Sequence, residues 1–145
     1  MKGKAVVTLQ FVLLVAMVIA PGRKNVPLFS LILGSTLVVI GSLLISISFR
    51  ALGDSLTVMP ESKENASLIT SGIYSKIRHP IYSAIFLVSG GFLLIKMSAA
   101  SLAVFLTLNY LLWYKAKYED EILLKKFPGA RDYQKSTNAF LPRFK

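Results

Sequence analysis

His79 is the only histidine in the chain and stands directly before a proline, in the run Gly72-Ile73-Tyr74-Ser75-Lys76-Ile77-Arg78-His79-Pro80-Ile81-Tyr82. Pro80 suits the first turn of a helix, and the residue before a proline is biased towards extended backbone. His79 therefore marks the amino end of a helix, where unpaired backbone donors and the helix dipole favour an anion. Arg78 adds a positive charge beside it, so a phosphate or a carboxylate suits the place. A second group is Tyr118-Glu119-Asp120-Glu121. Helical spacing puts Lys115 and Glu119 on one face, and Lys117, Glu121 and Lys125 on another that reads as solvated. An acid on the first face can take hydroxyls or an ammonium group, or pair internally with Lys115. Tyr74, Tyr82, Trp113, Tyr114 and Tyr118 stand near both groups, and aromatic faces attract cationic ligands. From position alone the plainer reading is the stronger: Arg78 meets lipid phosphate, His79 caps the helix, and the aromatics anchor at a membrane interface.

These residues are set among apolar blocks. The chain has 145 residues, is 54% hydrophobic and has a mean hydropathy of +0.59, which suits one membrane domain over residues 1–145 rather than a soluble one. Apolar blocks cover residues 5–20, 28–49, 81–95 and 97–114. The second crosses a hydrocarbon core of roughly 30 Å at about 1.5 Å per residue; the first and third are short. The fold expected is all-α and polytopic, with about four transmembrane helices and a cytoplasmic carboxyl-terminal helical extension. No small-x-small site stands at Ala20-Pro21-Gly22, so the first block reads as a membrane helix and not a cleaved leader. The segment Pro21-Gly22-Arg23-Lys24-Asn25-Val26-Pro27 predicts a tight turn and a hairpin of the first two helices.

Charge supplies the orientation. With four crossings, Lys2, Lys4, Arg50, Lys63, Lys76, Arg78 and the basic residues from Lys115 onward share one side, against Arg23, Lys24 and Lys96 on the other. The asymmetry puts both termini and His79 in the cytoplasm. The net charge of +10 also attracts anionic lipid head groups. No basic helix with interleaved aromatics stands apart from the apolar blocks, which argues against a nucleic-acid partner. Cysteine is absent, removing disulfides and thiolate chemistry, and one histidine without a carboxylate pair at ligand spacing argues against a metal.

Small residues along the second block, from Gly34 to Ser48, allow close helix approach, and Gly90-Gly91 reads as a packing site. Residues 52–54 and 59–65 read as a polar loop. Ser98 is placed to cap the fourth helix, whose pattern runs on through residues 115–126 to Phe127-Pro128-Gly129. The tail after Tyr133 reads as a segment lying back on the membrane or over a site.

The run from Gly72 to Tyr82 resembles the signature of integral-membrane methyltransferases of the isoprenylcysteine carboxyl methyltransferase and phospholipid methyltransferase superfamily, roughly G-x-Y-x-x-x-R-H-P-x-Y. The likeness extends over about the last 95 residues. It includes Arg50-x-Leu52-Gly53, Glu119-Asp120-x-x-Leu123 in place of E-E-x-x-L, Phe127-Pro128 with Tyr133, and Phe140-Leu141-Pro142. It implies S-adenosylmethionine as methyl donor, with Tyr74, His79, Pro80, Tyr82 and Glu119 as cofactor contacts. It implies catalytic roles for Arg78 and for Lys115, which stands where carboxyl methyltransferases usually carry an arginine that handles the substrate carboxylate. Lysine lacks the bidentate fork. Ala84 and Ala130 replace a usual glycine and tyrosine. The substrate implied is lipophilic and drawn from the bilayer; an isoprenylcysteine carboxylate, a lipid amine, a thiol and a quinone-like lipid all remain open. A sterol-reductase-like oxidoreductase and a non-enzymatic lipid- or partner-binding protein are the alternatives. No G-x-G loop follows a strand, which excludes a Rossmann methyltransferase.

Overall fold

The computed structural model describes residues 3–53 and 68–143. The loop expected over residues 59–65 lies outside them. The elements of the described residues are helices: α1 (Gly3–Ile19), α2 (Leu28–Leu52), α3 (Pro80–Lys96), α4 (Ala99–Lys126) and α5 (Ala130–Ser136), with a 3-10 turn Gly72–Ser75 ahead of α3. Each apolar block of the sequence is a helix. Among the described residues α2 alone is long and apolar enough to cross a membrane. α1 and α3 are apolar but 17 residues each, and α4 is 28 residues with a charged carboxyl half.

The first two helices do not pack as the expected hairpin. α2 lies along α3, whereas α1 lies along α4 and touches α3. The reason is in the link between α1 and α2, which is held to the opposite turn instead of folding on itself. Arg23 N donates to Lys96 O (2.7 Å), the Lys96 ammonium to Ala20 O (2.6 Å), and Ser98 Oγ to Pro21 O (2.6 Å). That turn is sharp because Met97 takes a left-handed conformation, φ 44°. Ser98 then caps α4 in a reciprocal box, accepting from Ser101 N while Ser98 N donates to Ser101 Oγ.

The α2–α3 contact depends on small residues. A Cβ on Gly34 would lie 2.7 Å from Gly91 O, and one on Gly41 would lie 2.7 Å from Val88 Cγ2 and 2.8 Å from Ala84 O. At both positions a backbone oxygen is among the atoms met, and it has no rotamer by which to give way. Gly34→Val is expected to cost about 2 kcal/mol through overpacking, read as a lower Tm in detergent, while Gly90→Ala, whose Cβ meets only Phe105 at 3.6 Å, leaves Tm nearly unchanged.

The core joins α3 and α4 through Tyr82, Ile85, Leu108, Leu112 and Ala116, with Leu13 and Leu14 of α1 and Phe140 of the tail packed against it. One end of this core carries the polar residues of interest.

Candidate functional site

Pro80 opens α3, and His79, at φ −119° and ψ 60°, is the residue that caps it. The chain beyond α5 comes back over this point as a strap. Ile77 and Asn138 form a parallel bridge, Arg78 N donates to Asn138 O, and His79 N donates to Ala139 O, both at 2.9 Å. Ser83 Oγ donates to Phe140 O (2.6 Å), and the Phe140 and His79 rings stand 6.0 Å apart. Strap carbonyls and His79 O, which accepts from Tyr82 N and Ser83 N, thus take donors expected to face an anion. The amino end of α3 is a docking point for the chain's own tail.

His79 is buried between the two acids of α4. Its Nε2 lies 3.0 Å from Asp120 Oδ1 and its Nδ1 lies 3.6 Å from Glu119 Oε2. Each ring nitrogen of His79 thus faces one carboxylate. Tyr82 stacks on the ring, with centroids 5.4 Å apart and planes 8° from parallel, and its hydroxyl donates to Glu119 Oε1 (2.6 Å). Tyr74 completes the group: burial, and then the charge of Glu119, push its phenol up to about 12.

Arg78 is held by protein groups on two sides. Its Nε and Nη2 donate to the Asp120 carboxylate (3.3 and 3.2 Å), and Nη1 donates to Gln134 O (2.9 Å) and Thr137 O (2.5 Å). The group expected to act in catalysis also ties α4 to the strap. Burial alone would raise the Asp120 carboxyl, but His79 and Arg78 outweigh it and hold it below the ordinary carboxylate range. Gln134 Nε2 donates to Asp120 O, and Tyr133 OH donates to Tyr74 O, so α5 is tied to both sides.

Lys115 is only 3% exposed. It points towards α1, where its ammonium donates to Gln10 Oε1 (3.1 Å) and lies 5.2 Å from the Tyr82 ring centroid. The expected residues Tyr74, His79, Pro80, Tyr82, Glu119 and Lys115 thus form one continuous cluster. Trp113, Tyr114 and Tyr118 do not join it; they lie exposed on the outer face of α4, with the Lys117 ammonium 3.9 Å over the Trp113 ring. Sequence reasoning placed Asp120 with Glu119 in the acidic pair facing His79 but singled out only Glu119 as a contact, and it gave Gln10 no role. Asp120 follows Glu119 by one residue, about 100° round the helix, so both can flank a side chain on α3. Gln10 had a signal, being an amide inside an otherwise apolar block.

The sequence model of the phospholipid methyltransferase family matches residues 29–130. Similar curated proteins include the nickel-cobalt-cadmium resistance protein NccN of Alcaligenes xylosoxydans xylosoxydans, 37% identical over 83 residues. Another is the cobalt-zinc-cadmium resistance protein CzcN of Cupriavidus metallidurans, 40% identical over 85 residues. Each alignment takes in 56% of this chain and 38% of the relative, so the chain spans well under half the length of either. The family match covers most of the chain, from α2 to the start of α5, and the chain belongs to the phospholipid methyltransferase family.

Proposed function

We propose that this member of the phospholipid methyltransferase family is a membrane-embedded, S-adenosylmethionine-dependent methyltransferase that modifies a lipophilic acceptor drawn from the bilayer. The observation that carries the reading is His79 held between Glu119 and Asp120 under a strap from the tail, a built polar site where two helices end.

The donor is a sulfonium that also carries an ammonium, a carboxylate and ribose hydroxyls. The residues fit it in kind. Glu119 suits hydroxyls or an ammonium, and the faces of Tyr74, His79 and Tyr82 suit a cation beside apolar surface. When bound, S-adenosylmethionine supplies an electrophilic methyl group. The chain's own part is to align the acceptor and keep water out, the two terms that matter most where the acceptor is already an anion. Asp120 and Arg78 fix the His79 ring and the strap. Tyr82 fixes the Glu119 carboxylate by its hydroxyl. For an amine acceptor a base is needed, and His79 or Glu119 would serve.

Four membrane helices suit this role. Large apolar side chains lie exposed along all of the first four, among them Phe11, Val15 and Ile19 on α1, Phe29, Ile32 and Leu43 on α2, Phe86 on α3, and Leu102 and Leu106 on α4. Apolar faces this extensive belong in lipid. Exposed Tyr110, Trp113, Tyr114 and Tyr118 mark the head-group level, with both termini and the site in the cytoplasm and the basic tail against anionic lipid. The relatives' names attach them to metal resistance. No group of three His, Cys, Asp or Glu side chains arranged to hold a metal ion is found among the described residues of this chain.

The test is incubation of the purified protein with methyl-labelled donor and a bacterial lipid extract, followed by mass spectrometry. A labelled lipid whose formation needs Glu119 is the expected result, and no labelled product from a folded sample contradicts the reading.

A further inference from the structure

The strap that covers His79 has a charged end and an apolar edge of its own. It leaves α5 at Thr137, bonds to the start of α3 through Asn138, Ala139 and Phe140, and ends where Arg143 N donates to Lys76 O. Between these points Leu141 is turned outwards, 73% exposed. Its depth follows from its neighbour. Phe140 O accepts from Ser83, one turn inside α3, so Leu141 passes at the level where α3 enters lipid. An apolar side chain there is an interfacial anchor.

Two cations stand at the end of the strap. Arg143 Nη1 donates to Lys135 O, which brings the guanidinium to the backbone of Lys135. Both residues are exposed, and among the described residues neither has a carboxylate partner. Asp132, the acid of α5, pairs with neither. Lys135 is held in place because Tyr133 OH donates to Tyr74 O and Gln134 Nε2 to Asp120 O. Only one N–H of the Arg143 fork is used by Lys135 O, and a phosphodiester can take two others at once.

We propose that Lys135, Arg143 and Leu141 form a docking site for an anionic phospholipid, with the phosphate on the two cations and Leu141 among the acyl chains, and that the bound lipid holds the strap closed over His79. The docking stands by itself, while its consequence for catalysis rests on the methyltransferase reading. Diffuse attraction of a basic tail to a charged surface leaves the strap where it is. Here the residues that meet the phosphate also end the strap. A segment held at its edge by a few backbone bonds opens locally at small cost, and a lipid that binds only the closed form shifts it towards closure by its differential affinity.

Amide hydrogen exchange reads the strap directly, because Arg78 and His79 give their N–H groups to Asn138 O and Ala139 O and exchange when it lifts. The full chain is reconstituted at fixed salt in phosphatidylcholine bilayers, and in the same bilayers with about one-third phosphatidylglycerol. Mass spectrometry follows the peptide that contains both amides. Exchange is expected to be about tenfold slower with phosphatidylglycerol. Lys135→Gln with Arg143→Gln is expected to bring the ratio between the two bilayers close to one. Lys135→Gln alone keeps the bond from Arg143 to its carbonyl; it is expected to reduce the ratio to about threefold and serves where the double variant does not fold. Leu141→Ser is expected to reduce it as well. Soluble glycerol phosphate added to the phosphatidylcholine sample is expected to give no protection. Equal exchange in the two bilayers, a ratio unchanged by these substitutions, or full protection by glycerol phosphate overturns the proposal. S-adenosylhomocysteine titrated into both bilayers tests the link to the site. Tighter binding with phosphatidylglycerol supports it, and equal binding in both overturns it. Absence of binding in either bilayer overturns the methyltransferase reading and leaves the exchange result to decide the docking.

Discussion

Asp120→Ala lowers Tm in detergent by roughly 10 °C and abolishes measurable donor binding. The Asp120 carboxylate receives two donors of the Arg78 guanidinium and the Nε2 of His79. Removing it leaves a guanidinium whose side chain is only 13% exposed without its counter-charge, and breaking a buried pair in this way costs on the order of 3 kcal/mol. For a chain of this size that corresponds to several degrees per kcal/mol. The strap loosens with it, because Arg78 also holds Gln134 and Thr137 carbonyls, and the His79 ring loses its anchor. The pH dependence follows from the same contacts. The folded Asp120 carboxyl lies below its ordinary range, so its contribution is fully present above the unfolded value and is lost as pH falls through the folded one. Tm of the wild type should therefore fall below about pH 4, more steeply than that of Asp120→Asn. A wild-type Tm for Asp120→Ala would remove Asp120 from the architecture.

Glu119→Gln has the opposite profile: Tm changes little and affinity for the donor falls about a hundredfold, near 2.7 kcal/mol. Glutamine keeps an oxygen able to accept from Tyr82, and Glu119 is 22% exposed at the side chain, so folding loses little. What disappears is the negative charge facing His79, the one suited to hold hydroxyls or an ammonium through charge-assisted hydrogen bonds. Calorimetry with S-adenosylhomocysteine and thermal unfolding on the same samples separate the two acids. Equal effects of the two substitutions on Tm would show that the acids share one structural role.

The sequence made some of this legible and hid the rest for physical reasons. Helix extents followed from apolar blocks and from Pro80, Ser98 and Phe127-Pro128-Gly129, because capping and breaking are local. The order of packing was not local: Gly22 and Arg23 engage Lys96, which no turn propensity encodes, and this sends α1 to α4. His79, Glu119 and Tyr82 could be brought together on motif and helical phase. The partners of Arg78, Asp120 and the carbonyls of Gln134 and Thr137, could not be read because they come from segments far along the chain. Gln10 showed only as a polar residue in an apolar block until Lys115 was seen to reach it.

The most direct measurement is isothermal titration of the purified wild-type chain in detergent with S-adenosylhomocysteine. Binding to a single site is expected, weakened about a hundredfold by Glu119→Gln and strongly by His79→Ala. A folded wild type that gives no heat of binding, or binding left intact by both substitutions, contradicts it.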